Sequence, residues 1–461
     1  MLFNSYAFLL VFLPAAIIVF RIADGYPRLR TWTLILLSLV FYGYWNPWFL
    51  LLLIGSIAVN WLAANAFAAT RNGAIITAAV VANLAVLGVF KYANFFADNL
   101  ATLFGMQVNH FDVVLPLGIS FFTFHHVMYL VDLRRGKTTT YPLDRYALYI
   151  CFFPQAIAGP LARWSEVMHQ FGQQAFAPGW ERRCANGVTF MVIGLVEKAL
   201  GDALGDAVDP IYAFAREAAV PDGSAWVTLG FGFQVFLDFA GYSNIAIGLG
   251  LIFGIELPRN FNAPFRASNI LDLWQRWHMT LTRFLRDYVF FPLSDLRLFP
   301  RRYRAAQFLA AIVLTMALCG LWHGAGWNFV LWGTVNGVAM VLVVAWQRYL
   351  PSPPAPVGRA VTIGFVLLTA ILFRAGTLDA ALRLYQGLAT APQLFWLGGL
   401  RISVPAVAGV AYAALMPASH VLCERLNDRP RFIVAAALGV VGTAILFQLG
   451  KEAHDFIYFQ F

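Results

Sequence analysis

The sequence has little charge. Only 12% of its 461 residues are Asp, Glu, Lys or Arg, whereas 60% are hydrophobic. A soluble domain carries about 25% charged residues, so the composition excludes a soluble globular protein and a disordered one. The 16% share of aromatic residues suits a protein that lies in lipid, with aromatic side chains at both interfaces.

Cysteine is scarce as well, and no Cys/His cluster has the spacing of metal ligands. The sequence also lacks a phosphate-binding loop and an HExxH motif. We therefore predict no metal site and no bound cofactor, and we interpret the cysteines as small buried hydrophobic residues. Nucleic acid is not expected as a partner, because the basic residues alternate with apolar segments. The four cysteines are Cys151, Cys184, Cys319 and Cys423.

Lysine is nearly absent, yet the net charge is +9. Only four of the 32 basic residues are lysines, and the others are arginines. Residues 258–304 contain nine arginines and three aspartates, so this tenth of the chain carries six of the nine net positive charges. Topology alone accounts for such a segment, because basic residues stay on the cytoplasmic side and contact anionic lipid. A surface that binds a phosphate-bearing ligand is the alternative, since Arg holds phosphate with two hydrogen bonds.

Apolar stretches long enough to cross a bilayer recur along the whole chain. They predict an all-α, multi-pass membrane protein with about 11–13 membrane segments, interfacial helices and a central tunnel, folded as one domain over 1–461. Met1–Phe20 reads as a retained first span, with Arg21 on the cytoplasmic side. The stretches are 2–20, 31–45, 49–69, 74–90, 113–133, 145–161, 187–204, 226–255, 305–322, 327–346, 357–373, 404–423 and 432–449.

Three of these stretches, 113–133, 145–161 and 226–255, contain prolines, glycines or polar side chains. Such groups survive at membrane depth only when they are buried in protein or line a wet cavity, so we expect these stretches to be buried. The adjacent His125 and His126 point about 100° apart on a helix and are interpreted as structural.

Within the Arg-rich segment, 270–290 has the apolar periodicity of an amphipathic helix. Asn269 is placed to cap it, with Asp272 in the capping-box position, and Pro292 follows its end. A basic helix with a Trp-rich apolar face is typical of the membrane interface.

Four polar residues in apolar segments are candidates for chemistry. His323, in the run GLWHGAGWN (320–328), has a side chain that can take and return a proton near neutral pH. His278 lies on the apolar stripe of 270–290. Gln234 and Asp238 share one helix face, and the buried Asp238 needs a cationic partner, for which Arg or His is the obvious choice. Segment 305–322 rises about 27 Å, which predicts His278 near the cytoplasmic face and His323 beyond the midplane.

These motifs resemble the membrane-bound O-acyltransferase superfamily, and within it the bacterial branch that acetylates polysaccharides such as alginate. The similarity runs over nearly the whole chain, and the two His motifs make it specific. The matching segments are LPLGISFFTF (115–124), FPQAIAGPLARW (153–164), LDFAGYSNIAIGLGLIFG (237–254), LWQRWHMTLTRFLRDY (273–288) and GLWHGAGWNFVLWG (320–333), with FKYANF (90–95) and FIYFQF (456–461).

The resemblance implies a role for each matched residue. His323 matches the catalytic His, and His278 matches the second His, near the donor. A polar segment lining the site matches Gln234, Asp238, Tyr242 and Ser243. The family often has Tyr, Ser and Asp at the positions of Phe236, Ala240 and Asn244. At these three positions the sequence departs from the polar network that the family has around this segment. Trp322 and Asn328 are candidates to donate hydrogen bonds to the negatively charged oxygen that forms during acyl transfer.

The implied activity is transfer of an acetyl group from a cytoplasmic thioester, across the inner membrane, to a hydroxyl of an exopolysaccharide. The donor is acetyl-coenzyme A or an acyl carrier thioester, which Arg276, Arg283 and Arg286 are placed to bind, and periplasmic proteins complete the transfer. An exporter of D-alanyl or another acyl group from a carrier protein is the alternative within the family. A transporter or flippase and a scaffold for polymer export are alternatives of another class.

Overall fold

The computed structural model of the chain describes residues 1–220, 224–296, 300–390, 404–426 and 456–457. Within these ranges all regular secondary structure is helical. The predicted span 432–449 lies outside the described residues. So do Arg297, the side chain of Arg301 and the last four residues of the ending 456–461.

The α-helices are numbered in chain order. The first part of the chain forms α1 (Leu13–Ala23), α2 (Pro27–Gly43), α3 (Pro47–Thr70), α4 (Gly73–Phe104), α5 (Ile119–Arg134), α6 (Leu143–Cys151), α7 (Phe153–Ala156), α8 (Trp164–Val167), α9 (Trp180–Glu217) and α10 (Phe231–Ile252). The rest forms α11 (Ile270–Trp274), α12 (Met279–Leu285), α13 (Phe291–Asp295), α14 (Arg304–His323), α15 (Trp327–Tyr349), α16 (Ala355–Arg374), α17 (Leu378–Thr390), α18 (Val404–Leu415) and α19 (Ser419–Leu426). Short π turns occur at Ala7–Phe12 and Arg286–Phe290, and 3₁₀ turns at Gln170–Gly172, Ser224–Gly230, Pro264–Arg266 and Arg301–Tyr303.

Six of the described helices are long and apolar enough to cross a membrane: α3, α4, α10 with its preceding 3₁₀ turn, α14, α15 and α16. The broken pair α18 and α19 adds a seventh if the two form one span. The predicted segment 145–161 is interrupted, because α6 and α7 are separated and α7 ends at Ala156. Segment 187–204 lies within α9, which is not among the six candidate spans. The all-α, multi-pass fold class is confirmed, and the chain spans the membrane several times.

The spans with polar residues are the buried ones, as predicted. In the window of α10 and its 3₁₀ turn 94% of the residues are buried, against 17–39% in the other five spans. Helix α5 and the interrupted stretch around α6 and α7 are also almost entirely buried. Their polar groups therefore contact protein rather than lipid. Polar groups in lipid would lack hydrogen-bond partners, which is costly.

The described residues group into two compact units. The first takes in the described parts of Met1–Leu195, Tyr242–Arg259 and His420–Asp455. The second takes in those of Val196–Gly241, Asn260–Ser419 and Phe456–Phe461. The single domain expected over 1–461 stays a prediction.

Glycines set the packing of α14 against α15 in the second unit. A Cβ built on Gly320 would stand 2.1 Å from the carbonyl oxygen of Phe329, and one on Gly333 would stand 2.1 Å from that of Met316. Such spacing leaves no room for a side chain, so the two backbones touch through small residues, as is common between membrane helices. This contact fixes the end of α14, where His323 lies.

Candidate active site

A buried cavity lies at the end of α14 in the second unit. His323 lines it, together with residues of α10, α11, α15 and α16. Its volume is about 50 Å³. Because one water molecule needs about 10–15 Å³ of such space, the cavity holds about three to five groups of that size. The lining residues are Phe231, Gly232, Val235, Leu273, Trp274, Trp277, His323, Trp332, Asn336, Val366, Thr369, Ala370 and Phe373.

The imidazole of His323 is surrounded by aromatic rings. Its ring centroid lies 4.6 Å from that of Trp322, 5.4 Å from that of Trp332 and 5.0 Å from that of Phe373. These rings restrict the imidazole and shield it from bulk water, which strengthens electrostatic interactions inside the cavity. The arrangement suits a group that exchanges a proton with a small molecule in a dry space.

The predicted amphipathic helix over 270–290 is wrong in one respect, because the chain breaks at His278. Helix α11 ends at Trp274 and α12 begins at Met279, with His278 between them at φ +39°. A non-glycine residue rarely adopts this left-handed conformation, which costs of order 1–3 kcal/mol. Contacts from an earlier loop hold it, because Met279 N donates to Asn260 O (2.8 Å) and Asn262 N donates to Arg276 O (2.9 Å).

The predicted start and continuation of this segment fit the structure better. Asn269 caps α11 by accepting a hydrogen bond from Asp272 N at 2.9 Å, and the Asp272 carboxylate accepts one from Ser268 N at 3.1 Å. Pro292 does not follow the end of the helix but lies within α13, directly after the π turn Arg286–Phe290. A π turn changes the hydrogen-bond pattern ahead of a proline, whose ring would otherwise clash with the preceding turn.

His278 is fully enclosed and lies outside the six spans. Its ring stands edge-on to Phe239, with centroids 4.6 Å apart, and neither ring nitrogen has a hydrogen-bond partner among the described residues. Burial lowers the pKa of His278 from 6.5 to about 3, so the imidazole is neutral at physiological pH.

The two histidines lie beside one indole ring, and the different membrane depths expected for them stay a prediction. The ring centroid of Trp322 is 6.4 Å from that of His278 and 4.6 Å from that of His323. The expectation assumed that 279–304 stays at one face. In the structure, the π turn Arg286–Phe290 and α13 contact α14.

Gln234 and Asp238 do share a face of α10, and both point at α9. Gly201 and Gly205 of α9 give them room, because a Cβ on Gly205 would stand 2.7 Å from Gln234 Nε2. The expected Arg or His partner of Asp238 is wrong: the cation is Lys198 of α9, with Nζ 2.7 Å from Asp238 Oδ1. Lys198 also pairs with Asp202 one helical turn away.

The second carboxylate oxygen of Asp238 binds the end of the chain. Ile457 N donates to Asp238 Oδ2 at 2.9 Å, and Phe456 packs on Phe239, with ring centroids 5.6 Å apart. A buried carboxylate with a cation and a backbone donor is fully satisfied, so Asp238 acts as a structural anchor in the described chain.

Other predicted site residues are less close to the cavity or already engaged. Asn328 donates a hydrogen bond to Leu372 O at 3.1 Å. Trp322 contacts both histidines, as described above, but does not line the cavity. Tyr242 and Ser243 belong to the first unit, where Tyr242 stacks on Phe3 with centroids 4.7 Å apart.

Two of the three arginines proposed for donor binding have carboxylate partners within the chain. Arg276 Nε lies 2.6 Å from Asp272 Oδ1, and Arg286 Nε lies 2.8 Å from Asp287 Oδ1. Arg286 is exposed, and Arg276 and Arg283 are partly exposed. A guanidinium with one acidic partner keeps further N–H donors, so the phosphate-binding role of these three residues stays a prediction.

Comparison with known proteins identifies the class of this site. The sequence profile of the membrane-bound O-acyltransferase family matches residues 65–373. The chain is 33% identical over 426 residues to a peptidoglycan O-acetyltransferase of Helicobacter pylori, covering 84% of this chain and 80% of the relative. The chain belongs to the membrane-bound O-acyltransferase family. It is therefore an O-acyltransferase, and the family assignment does not support the transporter and scaffold alternatives.

Two further relatives of this membrane-bound O-acyltransferase carry different names. A probable alginate O-acetylase of Pseudomonas aeruginosa is 35% identical over 403 residues, covering 84% of this chain and 75% of the relative. A teichoic acid D-alanyltransferase of Bacillus subtilis is 28% identical over 312 residues, covering 66% of this chain and 74% of the relative. Relatives of this acyltransferase thus differ in acyl group and in acceptor.

The sequence did not single out most of the residues that line the cavity. Trp274, Trp332 and Phe373 come from three different helices, so their convergence has no local pattern. Lys198 did leave a signal, because it is one of only four lysines and lies in the apolar stretch 187–204. A lone lysine in such a stretch points to a buried acidic partner.

Proposed function

We propose that this protein transfers acetyl groups from a thioester donor on the cytoplasmic side of the inner membrane to a hydroxyl acceptor, for the O-acetylation of an envelope polysaccharide. The observation that carries the proposal is the buried cavity at His323, which is small and mostly apolar. An acetyl group fits a space for about three to five water-sized groups. The donor is acetyl-coenzyme A or a phosphopantetheinyl carrier.

In this proposal His323 acts as the general base. It takes the proton of the acceptor hydroxyl as the oxygen attacks the thioester carbonyl, and it returns the proton to the departing thiolate. General base catalysis of this kind contributes about 10²–10⁴ in rate, and holding both reactants in a closed space contributes more. His278, neutral and one indole away, supports the donor side. Periplasmic proteins then complete the transfer to the polymer.

Membranes containing the protein, given acetyl-labelled acetyl-coenzyme A, test this assignment. His323→Ala should lower both thiol release and label in the polysaccharide fraction about 10²–10⁴-fold, with the protein still folded. His110→Ala is the matched control, because His110 is exposed, pairs with Asp98 and is not among the residues that line the cavity. Undiminished transfer by folded His323→Ala would sink the catalytic assignment.

D-alanyl transfer is the second candidate, because a teichoic acid D-alanyltransferase is among the relatives. A D-alanyl group carries an ammonium, which is costly to bury without a carboxylate. None of the described residues that line the cavity is acidic, which favours acetyl. Acetyl-coenzyme A supplied without a carrier protein separates the two, since only an acetyltransferase that accepts coenzyme A consumes it.

A further inference from the structure

Trp274 carries a hydrogen-bond donor that no described residue accepts. Trp274 is 5% exposed, and its indole Nε1 has no hydrogen-bond partner among the described residues. A buried donor left unpaired costs about 1–3 kcal/mol, so a native structure normally retains one only where something else accepts from it. Trp274 lines the same cavity as His323.

Two other polar side chains of the lining donate hydrogen bonds within the protein. Asn336 Nδ2 donates to Trp332 O at 2.9 Å, and the Thr369 hydroxyl donates to Phe365 O at 2.8 Å. Asn328, which the sequence suggested as an oxyanion donor, binds Leu372 O instead. The indole N–H of Trp274 is different, because it can donate but cannot accept.

The position of Trp274 is rigid. It ends the capped helix α11 and packs with Ile270, Leu273 and Met316 in one apolar cluster. Its ring centroid is 6.0 Å from that of Trp332, which is itself 5.4 Å from that of His323. The ring of Trp332 therefore lies between the ring of Trp274 and that of the proposed base, and all three residues line the cavity.

We propose that Trp274 donates its indole N–H to the carbonyl oxygen of the acyl group during transfer. This inference rests on the proposed acetyl transfer. As the hydroxyl oxygen bonds to the carbonyl carbon and His323 takes its proton, the C=O π electrons move to oxygen. Trp274 stabilises that oxyanion. When the carbonyl re-forms, the C–S bond breaks and the thiolate leaves with the proton from His323.

Kinetics of Trp274→Phe measure the contribution. Loss of one oxyanion donor lowers kcat by about 10²–10³, and we expect that fall with little change in the KM for acetyl-coenzyme A. Trp346→Phe is the matched control, because Trp346 is exposed and its indole donates to Pro351 O. If Trp274→Phe does not fold, β-(3-benzothienyl)alanine at position 274 replaces the N–H with sulfur and keeps the shape.

Infrared spectra separate this inference from the function on which it rests. The probe is S-acetonyl-4′-phosphopantetheine with a ¹³C ketone, which has no cleavable bond between sulfur and the carbonyl carbon. A hydrogen bond lowers the carbonyl frequency, so the band should rise in Trp274→Phe. An unchanged kcat or an unchanged band in the folded variant overturns the role of Trp274 and leaves acetyl transfer standing. If the wild type neither transfers acetyl nor binds the ketone, both proposals fail.

Discussion

His126 in the first unit and His323 in the second occupy similar sequence contexts but different environments. Both are buried histidines in apolar helices. Both nitrogens of His126 have partners: Nδ1 lies 2.7 Å from the Tyr146 hydroxyl, and Nε2 lies 3.2 Å from the Ser56 hydroxyl. His323 instead lines a cavity. Burial alone thus does not mark a functional histidine, whereas space beside the ring does.

The hydrogen bonds of His126 fix its tautomer. The Ser56 hydroxyl donates its proton to Leu53 O at 2.8 Å, so it can only accept from His126 Nε2–H. Nδ1 then accepts from the Tyr146 hydroxyl. A ring held in this way has no position for a substrate atom, which agrees with the structural interpretation of His126.

The largest effect expected from this comparison is on stability. His126→Phe removes both hydrogen bonds and leaves the buried Tyr146 hydroxyl unpaired, which should lower the free energy of unfolding by about 1–3 kcal/mol. The kcat of the folded variant should stay within about twofold of the wild type. Thermal unfolding in detergent and initial rates measure the two quantities.

The control for this experiment is Tyr146→Phe combined with His126→Phe. Replacing both partners by apolar rings should cost less than the sum of the single changes, because one orphaned hydroxyl is removed. A hundredfold loss of kcat in folded His126→Phe would show that the first unit also contributes to the chemistry.

The sequence predicts what depends on local pattern. Apolar runs predict the helices, Asn269 predicts its cap, and prolines and polar groups in apolar runs predict buried segments. The break at His278 cannot be predicted from the local sequence, because hydrogen bonds from the loop at 260–262 stabilise it. The pairing of Asp238 with Lys198 and the convergence of five helices on the cavity depend likewise on tertiary packing. The His323 motif indicates a site, but only the fold shows the space in front of it.

A second test measures how the free energy of unfolding changes with pH, which depends on the burial of His278. The pKa of folded His278 is about 3 and its ordinary value is 6.5. Below pH 6.5 the unfolded chain therefore binds a proton that the folded chain does not. The free energy of unfolding should fall as pH drops from 6.5 towards 3, by at most about 1.4 kcal/mol per pH unit from this residue.

His278→Asn should flatten that dependence. Asn tolerates the left-handed backbone at this position and does not titrate. The quantity to compare is therefore the slope of the unfolding temperature against pH in the wild type and in the variant. Equal slopes for the wild type and His278→Asn between pH 6.5 and 4 would contradict the burial of a neutral imidazole.

The smallest effect is expected at the arginines, where water screens the charge. If Arg283 and its neighbours Arg276 and Arg286 bind donor phosphates, each substitution by Gln should raise the donor KM about two- to fivefold and leave kcat alone. Arg348→Gln removes the same charge from an exposed site on α15. Arg283→Lys keeps the charge but loses the two-pronged hydrogen bonding, so a KM between those of the wild type and Arg283→Gln would indicate phosphate recognition. A KM unchanged by all three Gln substitutions would favour topology as the reason for the arginines, because orientation in the membrane depends on charge and not on hydrogen-bond geometry.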